Sequence, residues 1–250
     1  VPMVLSGDGG DEAFAGYRSH RAAAEAAGLL GGSREPLRFL RRIFRPDQDA
    51  AAAWIARKSC IPVSVRSRLW RSEVQGCMGE STEELLARVR PDPAQEHPVS
   101  RAQRLDAELY LPGDVLAKMD IAGMAHGLEV RTPMVDREVY EFAGRIPPAN
   151  LFGRRAEGTV VQKQPLRRIL ARRLPGISFG AKQGFAAPLE VWLGPGAALR
   201  PSVLARLSAP DAPLGSLVSP AAISAHAPEL DGRALWMLLA LDEWCLHLGE

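Results

Sequence analysis

Acidic side chains and glycines crowd one short stretch, Ser6-Gly7-Asp8-Gly9-Gly10-Asp11-Glu12, directly after the apolar run Val1 to Leu5. A glycine loop between a strand and a helix lets backbone N–H groups approach a phosphate, and the helix dipole favours an anion there. Asp8 and Asp11 would repel a bare phosphate. With Mg²⁺ they become useful, because hard carboxylate oxygens and phosphate oxygens can share the ion. The stretch has neither the Gly-Lys-Ser/Thr of a P-loop nor a GxGxxG fingerprint. Taken alone, it also fits a tight turn whose acids cap the next helix. Lys163, two residues before Pro165, reads by itself as a solvated lysine ahead of a helix.

The elements that must hold these residues follow from patterning. Val1 to Leu5, bounded by glycines, suits a fully buried strand of a parallel sheet. Asp11 and Glu12 open an alanine-rich helix that Gly28 closes. Most of the remainder reads as helix. Leu37, Leu40 and Phe44 share a face after Pro36, and Ser81 with Glu84 forms a capping box ahead of Leu85, Leu86 and Val89. Pro91 to Pro98 is a loop. Leu105 to Gly127 predicts two or three short helices broken at Pro112-Gly113. A further helix starts at Pro165, with Leu166, Ile169, Leu170 and Leu174 on one stripe, and stops at Pro175-Gly176. Residues 194–232 read as loop with one or two short helices. Ala234 to Leu248 is apolar almost all round, the pattern of a helix buried between others. No repeat and no clear second domain stand out.

Composition narrows the classes. The 250 residues are 46% hydrophobic and 24% charged, as in a globular protein. A net charge of +2 gives no ground for a nucleic-acid binder. Cys60, Cys77 and Cys245 form no CxxC pair, and the five histidines form no HExxH set, so neither a disulfide framework nor a His/Cys metal site is expected. No apolar run approaches the ~18 residues that span a bilayer, and no signal sequence opens the chain. A reducing, cytoplasmic setting is the expectation. The start inside a strand, with no initiator Met, leads us to expect further residues upstream.

Three downstream segments add to the glycine loop: Leu111-Pro112-Gly113-Asp114-Val115-Leu116-Ala117-Lys118-Met119-Asp120, Met124-Ala125-His126-Gly127-Leu128-Glu129-Val130-Arg131-Thr132-Pro133-Met134-Val135-Asp136, and Lys182-Gln183-Gly184-Phe185-Ala186-Ala187-Pro188-Leu189-Glu190-Val191-Trp192-Leu193. In order and approximate spacing, the four together resemble the synthetase domain of the glutamine-hydrolysing asparagine synthetases, whose relatives include β-lactam synthetases and lasso peptide cyclases.

The resemblance implies an α/β nucleotide-binding domain of the adenine nucleotide alpha hydrolase type, present only in part. This chain, residues 1–250, would be its C-terminal portion, mostly α-helical with one or a few parallel strands. It implies ATP-driven amide formation through an acyl-adenylate. ATP and Mg²⁺ would be the cofactors, with an aspartate-like carboxylate and ammonia from glutamine as small-molecule substrates.

Carried over by motif, Ser6 and Gly7 would contact ATP, Asp8 would assist adenylate formation, and Asp11 would bind Mg²⁺ and pyrophosphate. Lys163, in Lys163-Gln164-Pro165-Leu166-Arg167, would stabilise developing negative charge. Glu129 and Arg131 are expected to order their turn by ion pairing, His126 to cap a helix end, and Phe185 and Trp192 to pack in the core. Lys118 and Asp120 could be structural or face the substrate.

The sequence departs from the family pattern in lacking an N-terminal glutaminase domain and an SGGxDS pyrophosphate loop. Ile121 and Gly123 also stand where relatives carry Arg and Ser or Thr. The upstream half, in the same or another chain, is therefore an expected partner, and the chain alone is not expected to turn over. Intramolecular ring closure, or an inactive remnant or partner subunit, are the alternatives.

Overall fold

The computed structural model describes residues 2–30, 58–77, 79, 84, 96–177 and 187–248. The first elements are β1 (Met3–Leu5), α1 (Gly10–Ala13), α2 (Arg18–Ala26), α3 (Val63–Leu69) and α4 (Ser72–Gln75). There follow α5 (Pro98–Leu105), a π-helical stretch (Asp106–Leu116), α6 (Ala117–Met124), β2 (Glu129–Arg131) and α7 (Arg137–Gly144). A short hairpin of β3 (Gly153–Arg154) and β4 (Val160–Val161) leads into α8 (Gln164–Arg173). The chain ends with α9 (Leu189–Leu193), α10 (Arg200–Leu207), α11 (Pro220–His226) and α12 (Gly232–His247). The helices expected at residues 37–44 and 85–89, most of the loop at 91–98, and residues 182–186 with Phe185 lie outside the described residues. Two compact units result, one within Val1–Trp54 and Leu85–Phe179, the other within Ile55–Glu84 and Gly180–Glu250.

In the first unit β1 pairs in parallel with β2, Val4 opposite Val130, and Ser6 N–H extends the ladder by donating to the Arg131 carbonyl at 2.8 Å. The parallel strand is as expected, but its burial is not. Met3, Val4 and Leu5 are all exposed, Leu5 at 69%. A parallel strand is buried by neighbours on both edges and helices on both faces, and among the described residues only β2 pairs with β1. The core lies instead under α1 and α2, where Ala13, Phe14, Ala15, Ala23 and Ala24 pack with Val99, Ala102, Ala143, Leu151 and Phe152. Small side chains there let the helices approach closely.

Two helical expectations change. The single helix from Asp11 to Gly28 is divided into α1 and α2 by Ala15, whose φ of 55° is left-handed and cannot continue an α-helix. Gly28, at φ 75°, does end α2. The break expected at Pro112-Gly113 is absent, and helical backbone runs unbroken from Pro98 to Met124. Pro112 sits inside the π-helical stretch. That wider i→i+5 register absorbs a missing N–H and a ring that an α-helical register would reject. The turn after α6 is closed by Gly127 (φ 64°) and backbone bonds, not by the His126 ring, which is the correction to its expected capping role.

The second unit has a larger aliphatic core, including Val65, Leu69, Leu207, Leu214, Ile223, Leu230 and Leu235. Residues 194–232 are more helical than their Pro- and Gly-rich composition implies, because prolines begin helices here instead of breaking them. Pro220 opens α11, whose cap Ser219 accepts from Ala222 N–H. α12 buries Ala234, Leu235 and Leu238 on one side while Trp236, Met237 and Trp244 are exposed, so it is buried on one face only. Trp192 is also exposed (42%), contrary to its expected place in the core.

Asp242, fully buried on α12, accepts from Arg206 Nε at 2.8 Å and from Leu214 N–H at 3.0 Å. Asp242→Ala leaves that amide unsatisfied, whereas the half-exposed Arg206 can return to water. We expect a loss of about 1–3 kcal/mol in urea unfolding. A variant within ~0.3 kcal/mol of the parent would show that water replaces the carboxylate.

Candidate functional site

The glycine loop leaves the carboxyl end of β1, the position at which open α/β sheets bind ligands. Ser6 Oγ donates to an Asp8 carboxylate oxygen and accepts from the Asp8 N–H at 3.3 Å, which folds the start of the loop on itself. Gly10 N–H donates to the Gly7 carbonyl at 3.2 Å. Gly9 turns the chain with φ 85°, and a Cβ there would lie 2.4 Å from Val135 Cγ2. That close approach packs the loop directly on the Thr132-Pro133-Met134-Val135 turn, so two of the sequence segments noted above touch. Glu129 and Arg131 pair as expected, Nε to Oε1 at 2.7 Å, beside the point where β1 feeds the loop.

Asp11 and Lys163 meet. Lys163 Nζ lies 2.9 Å from Asp11 Oδ1, with each side chain a little over a quarter exposed. Lys163 is the residue before α8 and has a left-handed backbone, φ 56° and ψ 39°, a conformation that a non-glycine residue adopts at a cost. Gly16 makes the meeting sterically feasible: a Cβ on it would lie 1.8 Å from Asp11 Oδ1 and 2.3 Å from Lys163 Cε. Ser6, Gly7 and Asp8 thus form one local cluster and Asp11 with Lys163 another.

Glu12, the third acid of the stretch, turns inward. It is buried and accepts from the Tyr17 hydroxyl at 2.6 Å. Burial, then that carboxylate, push the Tyr17 phenol far above its ordinary range, so it stays a donor. Burial and the neighbouring Asp114 likewise push Tyr110 up to about 12. Beneath lies a buried pair, His20 Nε2 and Asp106 Oδ2 at 3.0 Å. Because His20 Nδ1 accepts from the Tyr17 N–H (3.4 Å), its proton is assigned to Nε2, which donates to Asp106.

Two glutamines complete the support. Gln103 Nε2 donates to the Glu12 and Ala13 carbonyls at 2.8 and 3.0 Å, and Gln162 Nε2 to the Ala15 and Tyr17 carbonyls at 2.7 Å each. The Glu12, Ala13 and Ala15 carbonyls lie at or just past the end of the four-residue α1, where helical partners run out, whereas the Tyr17 carbonyl also accepts from the His20 and Arg21 N–H groups that open α2. Neither glutamine, nor Gly16, nor the His20–Asp106 pair was singled out in the sequence. The only local signal was the position of Gln162 next to Lys163. Lys118 and Asp120 are exposed on α6, without a hydrogen bond or ion pair among the described residues.

Among the described residues no three His, Cys, Asp or Glu side chains converge as a ready-made cation cage. The donor chemistry nonetheless fits Mg²⁺, which is commonly held by one or two carboxylates and completed by substrate phosphates and water. Asp11 offers such a carboxylate at the loop. No helix among the described residues is long and apolar enough to cross a membrane.

A family model described as asparagine synthase matches residues 1–246. The chain is 27% identical over 265 residues to a putative glutamine-hydrolyzing asparagine synthetase of Mycobacterium bovis, covering 98% of this chain and 39% of that protein. It matches the Mycobacterium tuberculosis counterpart to the same extent. It is 26% identical to glutamine-hydrolyzing asparagine synthetase 1 of Bacillus subtilis, over 77% of this chain and 32% of that protein. The chain therefore spans well under half the length of these relatives. No solved structure matches it.

Proposed function

Because this chain belongs to the asparagine synthase family, we propose that it forms part of a site that makes an amide from a carboxylate and ammonia at the expense of ATP. The reading is most specific for asparagine, made from aspartate with glutamine as the nitrogen source. The observation that carries it is the Asp11–Lys163 pair, an ammonium 2.9 Å from a carboxylate at the end of a glycine loop.

In the first step a carboxylate oxygen of the substrate attacks the α-phosphorus of ATP. The bond to pyrophosphate breaks, and an acyl-adenylate forms. In the second, ammonia attacks the acyl carbon, AMP leaves with its oxygen, and a proton is lost from nitrogen. Ser6 and Gly7 contact ATP in this reading, and Asp8, already oriented by Ser6, assists the first step. Asp11 would supply a carboxylate ligand to Mg²⁺. When bound, Mg²⁺ neutralises charge on the phosphate oxygens. Lys163 places a second positive charge beside the same group, where both steps develop negative charge. The exposed strand β1 and the matched share of the relatives support a further role for preceding residues of a longer enzyme, which would cover β1 and supply the remainder of the triphosphate site.

The test joins this chain to the preceding region of a full-length relative and follows exchange of labelled pyrophosphate into ATP. Exchange that requires aspartate and Mg²⁺ is the expected result. Asp11→Asn keeps the turn but removes one hard anionic ligand, and should raise the Mg²⁺ requirement at least ~10-fold. A folded, nucleotide-binding protein with no exchange for any carboxylate would overturn the reading. Wild-type activity of Asp11→Asn at limiting Mg²⁺ would remove Asp11 as a ligand.

A further inference from the structure

We propose that Gln162 is a positioning residue that holds Lys163 against Asp11, a role that rests on the reading of Lys163 given above. One side-chain amide donates both its N–H bonds across 147 and 145 residues of sequence, to the Ala15 and Tyr17 carbonyls at 2.7 Å each. Those carbonyls flank Gly16, the residue that lies against both Asp11 and Lys163. The Gln162 carbonyl in turn accepts from Arg167 Nε at 2.9 Å, so the same residue is anchored to the first turns of α8. Gln162 therefore fixes the distance between the Gly16 turn and the left-handed Lys163 backbone.

A left-handed lysine is not self-sustaining. The conformation costs free energy and persists only where surrounding bonds over-determine it. The two amide bonds on one side and the Arg167 bond on the other supply that determination. Through these bonds Gln162 ties the turn at Ala15, itself left-handed and buried, to the turn at Lys163. Gln103 provides the comparison within the molecule. It makes the same kind of two-carbonyl clamp on Glu12 and Ala13, but from α5 and not from beside the lysine. If clamping mattered only for stability, the two glutamines would be equivalent.

The test needs no ATP. The 250-residue chain is acylated with a limiting amount of an amine-reactive active ester, and the labelling rate of Lys163 is measured by mass spectrometry against the exposed Lys118 as internal standard. Gln162→Met keeps length and removes both donors. It should raise relative labelling of Lys163 by about 5-fold, as the ion pair opens. Gln103→Met should lower the melting temperature comparably while leaving that ratio unchanged. Should Gln162→Met fail to fold, Gln162→Asn, one methylene shorter, withdraws the donors and is read in the same way. Equal rises in the Gln103 and Gln162 variants, or no rise in either, would overturn the proposal. Altered labelling alongside an active Lys163→Met enzyme would instead leave the positioning intact and remove the catalytic reading of Lys163.

Discussion

Replacing Lys163 with methionine is expected to cut amide formation at least ~10²-fold in the joined, active enzyme, the scale of losing one preorganised charge-stabilising group. Methionine keeps most of the side-chain length and deletes the ammonium, so packing around Gly16 changes little. The ion pair that disappears is partly exposed, and such pairs contribute only ~0–1 kcal/mol to stability. The melting temperature should therefore move by a few degrees at most while the rate collapses. Measuring kcat and melting on the same preparation separates the roles. An exposed, idle lysine predicts no loss of rate, so a fully active, normally melting Lys163→Met enzyme would return the residue to the surface.

Gly16→Ala should be nearly as damaging to rate and, unusually for a buried glycine, gentle on stability. The backbone at Gly16 is not left-handed, so alanine is conformationally admissible. The added methyl would sit 1.8 Å from Asp11 Oδ1 and 2.3 Å from Lys163 Cε. It would also sit 2.7 Å from Asp11 Cγ, so the whole Asp11 carboxylate must move; both side chains are partly exposed, and the cheapest relief is to push the pair apart. The fold survives that movement, and the chemistry should not. Displacing a catalytic group by about 1 Å can cost ~10² in rate. We expect kcat to fall on that scale with the melting temperature nearly unchanged. Full activity in Gly16→Ala would mean that the close Asp11–Lys163 pair is not the working geometry, whereas gross unfolding would mean that the two side chains cannot move.

Much of the local structure was legible along the chain. The apolar run ending in glycines marked β1 and its loop, Pro165 marked α8, and Gly28 and Gly176 marked helix ends. Motif order was sufficient to place the chain in its family. Each of these features is written in residues within a few positions of one another, where backbone sterics and hydrogen bonding act directly.

What the sequence misplaced were features decided by neighbours far along the chain. Burial is one. β1 has the composition of a core strand, yet exposure depends on what lies against it, and three residues cannot specify that. The division of the first helix is another. Ala15 has the highest intrinsic preference for helix, but the helix gives way there because Gln162 captures the Ala15 and Tyr17 carbonyls and the Gly16 turn must admit Lys163. Pro112 shows the reverse, a residue that should break a helix but is absorbed by a widened turn.

The candidate site follows the same division. Asp8 and Asp11 were visible because they share a loop, whereas Lys163 read alone as an ordinary surface lysine. Only the folded chain sets its ammonium 2.9 Å from Asp11 and surrounds that contact with glutamine clamps. Residue type determines which charges are present, but the work a charge can do depends on distance and solvent exclusion, and these exist only once remote segments have packed.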